Sequence, residues 1–259
     1  LQAKGIKMDK NFDITGTTKL TCLLGNPVSH SISPAMHNAS FQKLGLDYTY
    51  LAFSVDETHF ERAVDGLITL GAAGWNCTMP LKRLMYERVD TLSDSALLSG
   101  AVNTVVNRDG QLFGDNTDGY GFLQSMRDAG FSCEGKHAVL LGSGGAAAAI
   151  LAQAALDGAA AIDVFARSAS ASTRLIAEEI QRIHARCDCR IRLFDLADST
   201  SLRHCLDEAD VLINASSVGM VPRTDASLIP DPAFFHPGLV VGDVIYNPRE
   251  TRFLKEARE

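Results

Sequence analysis

No stretch of this 259-residue chain approaches the roughly 18 uninterrupted apolar residues that a membrane-spanning helix needs. The first twenty residues lack the apolar core of a secretory leader. These two absences read as a cytoplasmic protein with no membrane partner. A basic surplus is missing too: the formal net charge is −7 and the pI is near 5.5. With no broad positive face for nucleic acid or anionic lipid, an anionic ligand must be held by a few placed groups, and small molecules are the expected partners. The six cysteines form no C-x-x-C pair and no His/Cys ligand spacing, although Cys187 and Cys189 are close, so no metal site is expected and the thiols read as reduced. Internal repeats are absent, as is any low-complexity tract beyond the alanine-rich run at 146–155.

What is present is an ordinary core-forming composition, 46% apolar and 21% charged, in a length that suits one large domain or two moderate ones. Apolar runs of strand type alternate with helix-period segments: 19–24 then 33–44, 48–55 then 59–70, 74–78 then 81–89. That is the rhythm of β-α units around a parallel sheet. Two short runs at 103–108 and 111–115 flank an Asp109-Gly110 turn and predict a hairpin that closes a first domain. The segment from Asn116 to Gly130 predicts a connecting helix. A second β-α series follows, with strands at 137–141, 161–165, 190–195, 211–214 and 239–245 and helices at 146–156, 174–185 and 201–208.

The second series opens on VLLGSGGAAAAI at 139–150, a strand, a glycine turn and an alanine-rich helix in the order that a dinucleotide fingerprint requires. Gly142 makes the turn, Gly144 lets backbone approach a pyrophosphate, and Ala147 keeps helix and sheet close. At the tip of the next strand, where an NAD site places an acid for the ribose 2′-hydroxyl, stand Ala166, Arg167 and Ser168. Arg167 offers a planar cation for a 2′-phosphate, with Ser168 and Ser170 as small donors, and this favours NADP. In the other reading Arg167 is a solvated strand end and Asp163 serves as the acid; NAD as a second cofactor stays open.

In the first series, the stretch Gly25–Pro34 ends a strand and opens a helix, with Pro34 in the first turn and Ser33 at the N-cap. Ser29, Ser31 and Ser33 also crowd hydroxyls at the carboxyl edge of a strand, where open α/β sheets bind ligands. Thr78 and Lys82 follow the strand at 74–78 at the same edge, Asn103 stands at the start of the next strand, and Asp118 at the entry of the connecting helix. Each has a plainer reading: Asp118 as a helix cap, Lys82 beside Arg83 as a solvated basic pair.

Seven blocks in order, GNPVSHSISPAMHN, GWNCTMPLK, GAVNT, GDNTDGYGF, VLLGSGGAA, INASSVGM and GDVIYNPRET, resemble the shikimate and quinate/shikimate dehydrogenase family from about Leu20 to the end. The resemblance implies an α/β chain of two domains, an N-terminal substrate domain at 18–116 and a Rossmann-type NADP-binding domain at 117–246, with 247–259 beginning a return to the first. It implies reversible reduction of 3-dehydroshikimate to shikimate in chorismate and aromatic amino acid biosynthesis, by a monomer or homodimer. Lys82 and Asp118 match the catalytic pair. Ser31 and Ser33 match the serines that bind the substrate carboxylate, and Thr78, Asn103, Asp118 and Tyr246 match other substrate contacts. Gly142, Gly144, Gly145 and Ala146 match the pyrophosphate loop, and Ala166, Arg167 and Ser168 the 2′-phosphate motif, with alanine where the family usually has asparagine. Val218, Met220 and Val244 fall at the nicotinamide end, and Asp94 matches a position approaching it from the other domain.

Ketone reduction needs a proton at oxygen as hydride reaches carbon, and a lysine whose pKa is tuned toward neutrality suits that task. Two alternatives stand beside the main reading: a quinate/shikimate dehydrogenase using NAD or NADP, and a ligand-sensing module that has lost catalysis. The family pattern continues past the position of Glu259 with a Gly-x-x-Met-Leu-x-x-Gln segment carrying a substrate-binding glutamine, which the sequence at hand does not include. The residues before Met8 read as a tag remnant or an extension.

Overall fold

The computed structural model describes residues 14–259, so the residues before Met8 lie outside it. The α/β architecture is the one expected, in two compact units. One comprises the residues up to Ser93 with Val102–Asp115, the other Asp94–Ala101 with Asn116–Glu259.

The first unit runs β1 (Lys19–Gly25), α1 (Ser33–Leu44), β2 (Tyr48–Ser54), α2 (Phe60–Thr69), β3 (Gly74–Cys77), α3 (Lys82–Arg88), β4 (Thr91–Leu92), and, after the excursion of α4 (Asp94–Ser99) into the other unit, β5 (Thr104–Arg108) and β6 (Gln111–Asp115). The sheet order is β2-β1-β3-β5-β6-β4. Strands β2, β1 and β3 are parallel, while β5 and β6 form the expected hairpin and pair antiparallel, making the sheet mixed. Phe60, Val64 and Leu67 put one buried stripe on α2. Helix α1 ends at Gly45 in the left-handed region (φ 66°), where glycine has no Cβ penalty. Its start differs from expectation. Ile32 occupies the cap position and Ser33 is the first helical residue, with no side-chain cap bond; the Ser31 hydroxyl instead accepts from Ser33 N at 3.2 Å. Pro34 lacks an N–H, so that turn has one donor fewer to satisfy.

The second unit contains α4, then α5 (Asp118–Asp128), β7 (His137–Leu141), α6 (Gly145–Leu156), β8 (Ala161–Ala166), α7 (Ala171–His184), β9 (Arg190–Asp195), α8 (Ser199–Glu208), β10 (Val211–Asn214), β11 (Val240–Asp243) and α9 (Arg252–Arg258). All five strands are parallel in the order β11-β10-β7-β8-β9, the doubly wound arrangement of dinucleotide-binding halves. Alanine on most of α6 lets that helix be buried on several sides. At Gly119 of α5 an added Cβ would lie 2.0 Å from Ala149 O, so α5 and α6 meet almost backbone to backbone. Residues 247–259 belong to this unit, with Phe253 of α9 buried among Val139, Leu141, Phe165 and Leu212. None of the helices among the described residues is long and apolar enough to cross a membrane.

Beneath the sheet, Asp163 of β8 is 1% exposed and bound by Arg192 Nε and Nη2 at 2.7 Å each and by His137 Nε2 at 2.8 Å. Burial alone would raise this carboxyl, but the bonds from Arg192 and His137 outweigh it and hold it below the ordinary range. A depressed folded pKa means the contribution is complete above the unfolded value of about 4 and is lost as pH falls through the folded value. Replacing Asp163→Ala is expected to cost about 3 kcal/mol at pH 7, read from urea midpoints, and the gap to wild type should narrow below about pH 4.

Candidate active site

In the first unit the chain steps from β1 to β2 on one side and returns past β1 to β3 on the other. The carboxyl ends of β1 and β3 therefore form the point where strand order reverses, the usual place for a ligand crevice. The two tips are tied together: Thr78 N donates to Leu24 O at 2.9 Å and Asn26 N to Met79 O at 3.0 Å. A Cβ on Gly25 would stand 2.2 Å from Thr78 Cγ2, so this approach requires glycine. Both the Asn26-Pro27 and the Met79-Pro80 peptides in these tips are cis.

The loop after β1 carries Ser31 and leads into Ser33; the loop after β3 carries Thr78 and leads into α3, which begins at Lys82. Because β5 runs antiparallel to β3, its beginning lies at the same edge, and Cys77 N donates to Asn103 O at 2.9 Å. The structure thus gathers Ser31, Ser33, Thr78, Lys82 and Asn103 around one sheet edge.

Asn76 was not assigned a role from the sequence, yet it organises this edge. Burial pushes the Tyr50 phenol up, keeping it a donor, and its Oη donates to Asn76 Oδ1 at 2.7 Å. Asn76 Nδ2 then donates to Asn103 O at 3.1 Å and to Thr104 Oγ1 at 3.0 Å, and Thr104 donates to Asn103 Oδ1 at 2.8 Å. This chain of donors fixes which end of the buried Asn103 carboxamide is oxygen and which is nitrogen. Asn38 grips the Tyr50 backbone from both sides, and His37 stacks on the Tyr50 ring with centroids 4.3 Å apart. Cys77, pushed up to about 12 mainly by burial, stays a thiol and behaves as core.

In the second unit the order reverses at β7 and β10, and the glycine loop sits there. Gly142 N donates to Phe165 O at 2.8 Å and Ala215 N to Leu141 O at 2.9 Å. At Gly142 φ is 121° and an added Cβ would lie 2.9 Å from Ala215 O, so only glycine suits this turn. Gly144 and Gly145 differ: a Cβ on either meets nothing within 4 Å. Their missing side chains leave an open cradle of backbone at the start of the 12-residue α6, with Ala146 exposed beside it. Free N–H groups and the positive end of the helix favour an anionic group there, so the residues present fit a pyrophosphate.

At the tip of β8, Ala166 is buried and offers only backbone, whereas Arg167 and Ser168 are exposed. Asp163, the other candidate acid, is 1% exposed and both of its carboxylate oxygens are bound, by Arg192 and His137. Hydroxyls not singled out from the sequence gather beside Arg167: Ser143 Oγ lies 2.8 Å from Ser172 Oγ and 3.2 Å from Thr173 Oγ1, and Thr173 donates to Arg167 O at 2.8 Å. The signal for them was the serine-rich run after β8.

The loops that follow β10 and β11 meet. Asn214 Nδ2 donates to Val218 O at 3.3 Å and to Asp243 Oδ1 at 3.1 Å, while Val244 N donates to Asn214 O at 3.0 Å and Val221 N to Asn247 O at 3.4 Å. Val218, Met220, Val244 and Tyr246 are thereby brought to one edge, and Tyr246 is 82% exposed. Asp94 opens α4. It belongs to the second unit, and its Oδ1 meets Arg186 Nη1 at 3.0 Å, just past the end of α7.

The model of the shikimate dehydrogenase substrate binding domain matches residues 23–105. The shikimate dehydrogenase (NADP(+)) of Listeria monocytogenes is 43% identical over 246 residues, 95% of this chain and 84% of that protein. A quinate/shikimate dehydrogenase of Escherichia coli is 42% identical over 247 residues, 95% of this chain and 85% of the relative. The crystal structure of a Listeria monocytogenes shikimate 5-dehydrogenase in complex with shikimate and NAD matches with a TM-score of 0.92 at 42% identity, covering 96% of this chain and 86% of that one. Sequence similarity spanning nearly the whole chain therefore agrees with the two sheet edges, and the chain belongs to the shikimate dehydrogenase family.

Proposed function

We propose that this chain reduces 3-dehydroshikimate to shikimate reversibly with NADP(H), residues 18–116 serving as the substrate domain and 117–246 as the nucleotide domain. The observation that carries the cofactor choice is the β8 tip, where Arg167 and Ser168 are exposed and no carboxylate of β8 is available. The name of the Listeria relative, which specifies NADP(+), supports it.

When bound, the nicotinamide supplies the hydride in one direction and receives it in the other. Gly142, Gly144, Gly145 and Ala146 hold its pyrophosphate, Arg167 and Ser168 its 2′-phosphate after Ala166, and Val218, Met220 and Val244 flank its nicotinamide end. Ser31 and Ser33 donate hydroxyl hydrogen bonds to the substrate carboxylate, while Thr78, Asn103 and Tyr246 bind the ring. Lys82 Nζ gives the proton to the ketone oxygen in reduction and takes it back in oxidation; the Asp118 carboxylate accepts from a ring hydroxyl and orients the exchange. This pairing rests on the family resemblance of GWNCTMPLK and GDNTDGYGF. The same resemblance supports a cytoplasmic monomer or homodimer. Asp94, matched by the same resemblance to a position that approaches the nicotinamide, carries an exposed ion pair with Arg186.

A second reading, oxidation of quinate with NAD or NADP, is favoured by the Escherichia coli relative, named for both substrates, and by the Listeria structure holding NAD. Absorbance of the reduced nicotinamide, followed for shikimate and quinate with each cofactor, separates the two. Reduction confined to shikimate with NADP⁺ supports the first reading, comparable rates with quinate support the second, and no turnover in any pairing sinks both. Lys82→Ala is expected to lower kcat by about 10²- to 10⁴-fold with shikimate still binding; unchanged turnover would remove Lys82 from the chemistry. Gly144→Ala should leave the melting temperature near wild type, since the added methyl meets nothing, yet raise the Kd for NADP⁺ at least about tenfold by filling the cradle.

A further inference from the structure

Asp195 closes β9, and the parallel register sets it beside Ala166, the last residue of β8. Leu196 N donates to Ala166 O at 2.9 Å, which ties the two strand tips together. The Asp195 carboxylate is held there on both oxygens: Oδ2 accepts from the Ser168 hydroxyl and Oδ1 from Ala197 N at 2.8 Å. The bond from Ser168 and then that from Ala197 hold its carboxyl below the ordinary range, so it is anionic wherever the enzyme would work. Asp198, close by, is occupied differently, capping α8 through Ser201 N at 3.0 Å and Ser201 Oγ at 2.6 Å.

The tip that offers Arg167 and Ser168 to a ribose 2′-substituent therefore also carries a fixed negative charge in direct contact with Ser168. The two charges favour opposite cofactors. A guanidinium attracts a 2′-phosphate, whereas a carboxylate repels it and accepts a hydrogen bond from a 2′-hydroxyl, the role acids play at NAD sites. Nothing in the β8 tip itself carries such an acid, and Asp163 is unavailable; the neighbouring strand supplies it.

We propose that Asp195 is a specificity-determining residue that weakens the preference for NADP over NAD conferred by Arg167 and leaves the chain able to bind both. The proposal rests on the reading that Arg167 and Ser168 hold the adenosine ribose.

The test is the pair of dissociation constants for NADP⁺ and NAD⁺, measured by calorimetric titration of the full chain carrying Asp195→Asn, Asp195→Ala or Arg167→Ala. Asp195→Asn should tighten NADP⁺ and weaken NAD⁺, moving their ratio about tenfold toward NADP⁺, the size expected for one carboxylate a few ångström from a phosphate in solvent. Added salt should shrink that shift, and Asp195→Ala should tighten NADP⁺ in the same sense. An unchanged ratio, or equal weakening of both cofactors as loss of an adenine contact would give, overturns the proposal while leaving the ribose reading intact. Arg167→Ala should move the ratio toward NAD⁺; if it does not, the ribose reading fails and the proposal with it.

Discussion

Two strand tips can converge on a ligand only if nothing stands between them, and in each unit that clearance depends on one absent side chain. Gly25 lets the loop after β3 close on the end of β1, and Gly142 lets the end of β7 rest against Ala215 beyond β10. A methyl on Gly142 would collide with backbone of Ala215, and one on Gly25 would collide with the methyl of Thr78 and press on Met79 O, which is hydrogen-bonded to Asn26 N. From that contact follow the placement of Thr78 and Lys82 in one unit and of the glycine cradle in the other.

Around these tips the polar groups are assigned by bonding order. Tyr50 donates to Asn76, Asn76 to Thr104, and Thr104 to Asn103, so a phenol deep in the first unit dictates how an amide at the sheet edge is turned. In the second unit Asn214 holds Val218 and Asp243 together, and Asp243 in turn accepts from Thr251 at 2.6 Å ahead of α9. The two edges use one device, a buried amide that fixes loops which would otherwise have to order themselves on the ligand.

The sequence was most readable where local chemistry dictates geometry. The strand, glycine turn and alanine helix at 139–150 could scarcely be anything else, and the Asp109-Gly110 hairpin follows from the left-handed backbone that both residues adopt. Less was legible where several cap solutions compete: Ser33 reads as a cap, yet the helix starts one residue earlier with Ile32 at the cap. The six-residue α4 was invisible because a helix of that length carries too little periodicity, and with it went the surroundings of Asp94. Side-chain contacts between neighbouring parallel strands were hidden. Neither the enclosure of Asp163 by Arg192 nor the contact between Ser168 and Asp195 has a signature within any one segment, since each joins residues brought together by parallel register.

The close meeting of Gly119 with Ala149 has a further meaning. Asp118 lies one residue before that contact and Gly145 one turn before Ala149, so the start of α5 is held at a fixed offset from the helix that opens the glycine cradle. Asp118 is thus tied to the nucleotide unit by backbone packing as well as by chain connection. Substitution at position 119 would therefore disturb Asp118 and the opening of the glycine cradle together, although neither is itself altered.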